Sequence, residues 1–215
     1  ASHPASGQFA LARKIGDEPS EVKLYRGADG PLTEQAALTL PGRAHHLAFD
    51  RAGERLAVTH RDGTLEVFAT RDGRSQFRLA GGYSQDVFGA GTNLFALEVR
   101  PGGNPPEHRL VRIDTIAGQP RGNSRSEVPL TSLAIAPDGA LLAFGSTDRR
   151  VYVLRANDFS TGWVFRAHEA DVGAVAFHPR LPVIATGSVD GSVKLWTYRD
   201  LRRPPDSRVK QFQHY

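Results

Sequence analysis

The sequence predicts an all-β chain assembled from repeated four-stranded antiparallel units, and three observations carry that reading. Three windows of 22 residues align without a gap: LAFDRAGERLAVTHRDGTLEVF (47–68), LAIAPDGALLAFGSTDRRVYVL (133–154) and VAFHPRLPVIATGSVDGSVKLW (175–196). The windows lie 86 and 42 residues apart, which leaves room for one further unit of about 43 residues between the first two. The apolar runs are of strand length, rich in Val, Leu, Ile and Phe, and separated by Gly, Asp and Pro, with no segment suggesting a helix of useful length.

Each window opens on a strand, turns at Pro, Gly or Asp, continues into a second apolar strand, reaches an Asp and ends in a third strand. The Asp column is Asp62, Asp148 and Asp190, and the closing column is Phe68, Leu154 and Trp196. With the strands of a unit labelled a to d from inside outward, the first unit spans 9–40 and consists of b (FALARKI), c (EVKLYRG) and d (EQAALTL). EVKLYRG repeats SVKLWTY of the last window. Its inner strand is expected to be missing, because only eight residues precede Phe9. Four units follow at 44–79, 83–130, 131–166 and 172–212. The unit at 83–130 is eroded, with strands SQDVFGA, NLFALEV, RLVRIDT and SEVPL and an insert, RPGGNPPEH (100–108), too rich in Pro and Gly to be a strand. RVKQFQH (208–214) is expected to be the last outer strand.

Ala167-His168, Val172, Val175-Ala176-Phe177, Gly187-Ser188, Asp190-Gly191 and Val193-Lys194-Leu195-Trp196 resemble a repeat of the WD-repeat (WD40) β-propeller family. One unit matches closely, two match in pattern and two are eroded, so the resemblance spans about Phe9 to His214. Thr197 stands where the family has the Asp of its namesake dipeptide, and Ala167 where it has Gly. The resemblance implies a β-propeller of four-stranded blades, about four and a half to five of them here, where the family usually has seven. The ring is thus expected to be incomplete, with missing blades supplied by another segment or chain; a self-contained five-blade ring is the alternative. It also implies a buried hydrogen-bonded chain of His168, Thr186 or Ser188, Asp190 and Trp196, structural rather than catalytic. The physical reason for stacking is independent of the resemblance: one such sheet has two apolar faces and cannot bury both alone.

Composition narrows the function. The chain has 215 residues, 40% hydrophobic and 23% charged, and no apolar run approaches the roughly 20 residues of a membrane helix. It has no Cys, which excludes disulfides, thiolate metal sites and cysteine nucleophiles. It has no Met either, and is therefore expected to be a processed product or part of something longer. No GxSxG elbow, P-loop, strand-to-helix GxGxxG or HExxH spacing appears, so no catalytic residue, metal or cofactor is expected. The net charge is +4, with one basic concentration at 199–210, read as a solvated segment.

The remaining signal lies in the loops. On one face of the expected ring stand His60 and Arg61 before Asp62, Arg149 and Arg150 after Asp148, and Arg100, His108 and Arg109 at the insert. Arg149-Arg150 occupies the place of Gly-Thr and Gly-Ser in the sister turns, so the turn itself does not call for arginine, and arginine grips carboxylates and phosphates bidentately. Three functions follow: a non-catalytic scaffold docking other protein subunits, a binder of nucleic acid or of phosphorylated or acidic peptide through the basic face, and a regulatory module of a larger enzyme. The first is preferred, at an intracellular site, cytoplasmic or nuclear.

Overall fold

The computed structural model describes residues 2–3, 7–13, 21–27, 33–40 and 42–198. The expected strand at 208–214 and the basic segment at 199–210 lie outside them. The described residues form antiparallel sheets in which chain neighbours pair in order, as tight turns between short β-rich runs dictate. The first sheet holds β1 (Ser2–His3), β2 (Gln8–Arg13), β3 (Glu21–Arg26) and β4 (Thr33–Thr39); the second holds β5 (Ala44–Phe49), β6 (Arg55–His60), β7 (Leu65–Ala69) and β8 (Ser75–Leu79). The third holds β9 (Tyr83–Phe88), β10 (Asn93–Arg100), β11 (Glu107–Asp114) and β12 (Gln119–Ser126). The fourth holds β13 (Leu130–Ile135), β14 (Leu141–Ser146), β15 (Arg150–Arg155) and β16 (Thr161–Arg166). The fifth holds β17 (Val172–Phe177), β18 (Val183–Ser188) and β19 (Val193–Thr197).

Two expectations need correcting. The unit at 9–40 does not lack an inner strand: Ser2 pairs with Phe9 and His3 with Gln8, because a two-residue strand fits in the eight residues available and Gly7, at φ +63°, supports the reversal. The outer strand of the third sheet is QPRGNSRS rather than SEVPL, and Leu130 already opens the next sheet. That outer strand opens on three exposed residues and then alternates exposed and half-exposed ones, with no apolar side chain except Pro120, so hydrophobicity carried no signal for it.

The chain groups into two compact units, residues 1–106 with 110–122, and residues 107–109 with 123–215. Within the first, period-2 alternation sends successive side chains of one strand to opposite faces. Leu56 and Val58 of β6 pack with Ala10, Val22, Leu24 and Leu38 of the first sheet, whereas Ala57 of β6 packs with Leu94, Ala96, Val111 and Ile113 of the third. A strand covered on both faces reads as a continuous apolar run, which is why RLAVTH and LLAFGS look alike. Within the second unit, Ala143, Val151, Val153 and Trp163 pack with Val172, Ile184 and Trp196. The ladder also shifts register at matching places in three inner strands, at Ala44/His46, Leu130/Ser132 and Val172/Ala174, so the repeat extends to its irregularities.

Candidate functional site

The Asp column builds the turn between the second and third strands of a sheet. Asp62 Oδ1 accepts the Thr64 N–H at 2.9 Å, Asp148 Oδ1 the Arg150 N–H at 3.1 Å and Asp190 Oδ1 the Ser192 N–H at 2.9 Å. These are Asx turns, in which a short carboxylate replaces a backbone acceptor. The residue after each Asp is left-handed: Gly63 at φ +84°, Arg149 at +73° and Gly191 at +80°. The turn therefore favours glycine at the position Arg149 holds, at a cost of about 1–2 kcal/mol for a residue with a Cβ. Arg149→Gly is expected to stabilise the protein by about 1 kcal/mol, read from its urea midpoint; an unchanged or lowered midpoint would mean that the arginine side chain makes up the strain.

In the fifth sheet the turn joins a buried chain. The Trp196 Nε1–H donates to Thr186 Oγ1 at 2.9 Å, Thr186 Oγ1 lies 2.7 Å from His168 Nε2, and His168 Nδ1 lies 3.1 Å from Asp190 Oδ2 and 2.9 Å from Ser192 Oγ. Since Thr186 accepts from the indole, its own hydrogen is available to Nε2, and the Nδ1–H then points at Asp190. Burial holds the His168 pKa below its usual value against the pull of Asp190, consistent with the neutral ring this direction needs. Burial alone would raise the Asp190 pKa, but hydrogen bonds from the Ser192 hydroxyl and the N–H groups of Glu169 and Ser192 outweigh it and hold the carboxyl far below the ordinary range. Ser188 stands outside the chain, its hydroxyl accepting the Asp190 N–H at 3.1 Å. Ser192 was not singled out by the sequence reading, although its place two residues after the Asp column was visible.

The same positions in the second sheet carry no such chain. Ala44 pairs with His60 as Val172 pairs with Ser188, so Leu40, Val58 and Phe68 stand where His168, Thr186 and Trp196 do, and all three are buried apolar residues. In the fourth sheet Tyr152 donates its hydroxyl to Asp148 Oδ2 at 2.6 Å and stacks on Phe144 at 5.2 Å. Burial, with the Asp148 carboxylate, pushes its pKa up to about 12.

The loop residues proposed as a contact face are not equivalent. His60 is 1% exposed, which corrects its assignment as a surface contact: it ends an apolar strand and faces Glu66, with Nε2 3.6 Å from Oε2. Arg61 is exposed. Arg100 is held by Glu98 at 2.9 Å, Arg109 by Glu107 at 2.9 Å and Arg150 by Asp148 at 3.4 Å, so these three spend charge inside the chain. His108 Nδ1 accepts the Leu130 N–H at 3.3 Å and burial lowers its pKa. Arg149 is exposed, and its carbonyl accepts the N–H groups of Ala167 and His168. His60, Arg61 and Arg100 belong to the first unit, and His108, Arg109, Arg149 and Arg150 to the second.

A second buried polar cluster escaped the sequence reading. Asp86 of β9 is 1% exposed; it accepts a hydrogen bond from the Thr59 hydroxyl of β6 and lies 3.4 Å from His46 Nδ1 of β5. Its only sequence signal was a carboxylate inside the half-apolar strand YSQDVF. Among the described residues, no group of three or more His, Asp or Glu is placed to hold a metal ion, and no helix is long and apolar enough to cross a membrane.

Comparison with known proteins agrees with this geometry. Residues 118–154 and 159–197 match the family model for the WD domain, G-beta repeat. The WD repeat and HMG-box DNA-binding protein 1 of Xenopus laevis is 28% identical over 72% of this chain and 13% of its own length. The ribosome biogenesis protein BOP1 of Rattus norvegicus is 30% identical over 87% of this chain and 25% of its own length. The chain thus spans a quarter or less of these two relatives. The β-propeller domain of Myceliophteria thermophila Cps50 (Swd1) superposes with a TM-score of 0.76 at 12% identity, covering 100% of this chain and 70% of that one, which shows a shared fold.

Proposed function

From the premise that this chain is a WD40-repeat protein of the β-propeller fold, we propose that it is a non-catalytic interaction module, a scaffold or subunit of an intracellular multiprotein assembly. The observation that carries this reading is the use made of the reactive side chains. His168, Asp190, Ser192 and Thr186 are of the residue types from which a nucleophile and its base are assembled. Here His168 is 1% exposed with both ring nitrogens spent on neighbours, so the set specifies packing and offers nothing to a substrate. Repeat arrays of this kind present extended surfaces, and rigid sheets hold their connecting loops in place for docking. The names of the two relatives, one in ribosome biogenesis and one binding DNA, support work within a larger assembly. The ion pairs of Arg100, Arg109 and Arg150 weigh against the nucleic-acid alternative, which needs unneutralised cations.

The test is the native mass of the full-length protein isolated from its source in mild buffer. A defined mass above that of one chain, with other subunits in fixed stoichiometry, is expected. A monomer that retains no other protein would overturn the proposal.

A further inference from the structure

We propose that the uncovered face of the fifth sheet docks a complete β-sheet contributed by a different protein subunit. This rests on the interaction-module reading and names the chemistry of one partner surface. The face is made by the side chains that alternate with buried Ile184, Thr186 and Trp196: Ala185, Val193 and Leu195, with Ala174 and Ala176 beside them on the inner strand. None is charged and none is fully buried, and Val193 is 43% exposed. An apolar face left open to water marks a contact.

The chain itself shows what such a face carries. The ladder pair Ala185 and Leu195 stands where the fourth sheet has Ala143 and Val153, the second Ala57 and Val67, and the first Ala10 and Leu24. All of those counterparts are buried by the sheet that follows. Ala10 and Leu24 pack with Leu56 and Val58, Ala57 and Val67 with Leu94 and Ala96, and Ala143 and Val153 with Ile184 and Trp196. The matching occupant is a sheet with apolar side chains at alternate positions of its second strand.

Gly187 gives a second, independent sign. In its place the fourth sheet has Gly145, where a Cβ would come 2.6 Å from the Val172 carbonyl oxygen, on the inner strand of the next sheet. The second sheet has Thr59 there, bonded to Asp86 on the inner strand of the next. At Gly187 a Cβ would meet only the Ala174 Cβ of its own sheet, at 3.7 Å, so the notch that Gly145 keeps for a passing backbone is repeated and open. An inner strand fills that notch, and the strands hydrogen-bonded to it cover Ala185 and Leu195; a lone peptide leaves part of the face wet.

A second copy does not fit. Leu56, Leu94, Leu142 and Ile184 of the later sheets are already buried, which leaves the first sheet, where Phe9 and Leu11 are exposed. Its inner strand β1 pairs with Gln8 and Phe9 at the start of β2, whereas Val172 pairs with Ser188 at the end of β18, so β1 does not reach the notch.

The experiment uses the lack of cysteine in this chain. Val193→Cys places one thiol on the open face, and Val164→Cys places one at a site of similar exposure, 42%, on the outer strand of the fourth sheet. Labelling of this chain by a fluorescent maleimide is compared between the full-length variants expressed alone and the assemblies isolated from the source in mild buffer. In the assembly Val193→Cys is expected to label about tenfold more slowly than alone, as in the water-excluding core of an interface, with Val164→Cys unchanged. A benzophenone carried on the Val193→Cys thiol is expected, on illumination, to join this chain to one different polypeptide. Equal labelling of Val193→Cys in both states overturns the proposal. So does an adduct of twice the mass of one chain, which makes the occupant a second copy, or one with no gain in mass, which places the cover within the same polypeptide. The native mass of the same preparation separates the two readings: an assembly in which the thiol stays open removes this docking alone, whereas a monomer without other protein removes the interaction module as well.

Discussion

Trp196→Ala is expected to destabilise the protein by about 3–5 kcal/mol, the range for truncating a buried aromatic side chain. The indole is 5% exposed and lies 4.8 Å from the Phe165 ring at a 57° tilt, within the cluster that includes Ile184, Val153 and Trp163. Its removal opens a cavity where strands of the fourth and fifth sheets meet, and side chains relax into such space only in part. It also removes the N–H that donates to Thr186, a contribution of about 1 kcal/mol. The damage should be shared by Thr186→Val, which keeps the volume but strips His168 Nε2 and the indole of their common partner. Urea unfolding of wild type and both variants gives the comparison. A Trp196→Ala loss below about 1 kcal/mol would show the indole to be outside the core.

The contrast between sheets explains what could be read from residues alone. The Asp column was legible because each of its members performs one local task, closing an Asx turn, whatever surrounds it. The His, Thr and Trp were legible in only one unit, because a buried polar chain and an apolar filling occupy the same space at similar net stability, provided every polar group is satisfied. Leu40, Val58 and Phe68 make the second choice, and no local pattern announces it. His60 was misplaced for a related reason: its position in a turn sequence suggested exposure, whereas its backbone pairs with the Thr64 carbonyl at the end of a strand covered on both faces. Arg149 showed as a departure from Gly, but the left-handed backbone that makes the departure costly is a matter of dihedral angle and appears only in three dimensions. Asp86 and its partners come from strands far apart in sequence, so their meeting depends on how sheets stack.

That cluster should give the stability curve a component of unusual sign. Partial burial works against protonation of His46, but the hydrogen bond and charge of Asp86 outweigh it and raise the His46 pKa above its ordinary value of 6.5. A raised histidine pKa contributes stability that is fully present below the unfolded value, about 6.5, and disappears as pH rises through the folded value. His60, His108 and His168 act oppositely, since burial lowers their pKa values and their contribution is lost on acidification. The wild-type profile therefore mixes both signs, and the difference between wild type and His46→Gln isolates one. That difference in unfolding free energy is expected to fall between mildly acidic and mildly alkaline pH, with the variant gaining on the wild type. A difference that is flat, or that grows with pH, would mean that His46 and Asp86 are not coupled in the folded protein. Thr59→Val tests the other arm: it preserves shape and deprives the buried carboxylate of its hydroxyl donor, and a loss of about 1.5–3 kcal/mol is expected for a hydrogen bond to a charged group. Because Asp86 then leans on His46 alone, the pH-dependent difference should steepen in the Thr59→Val background. Two residues that act on one carboxylate cannot contribute additively, and a double-mutant cycle across that pH range measures their coupling directly.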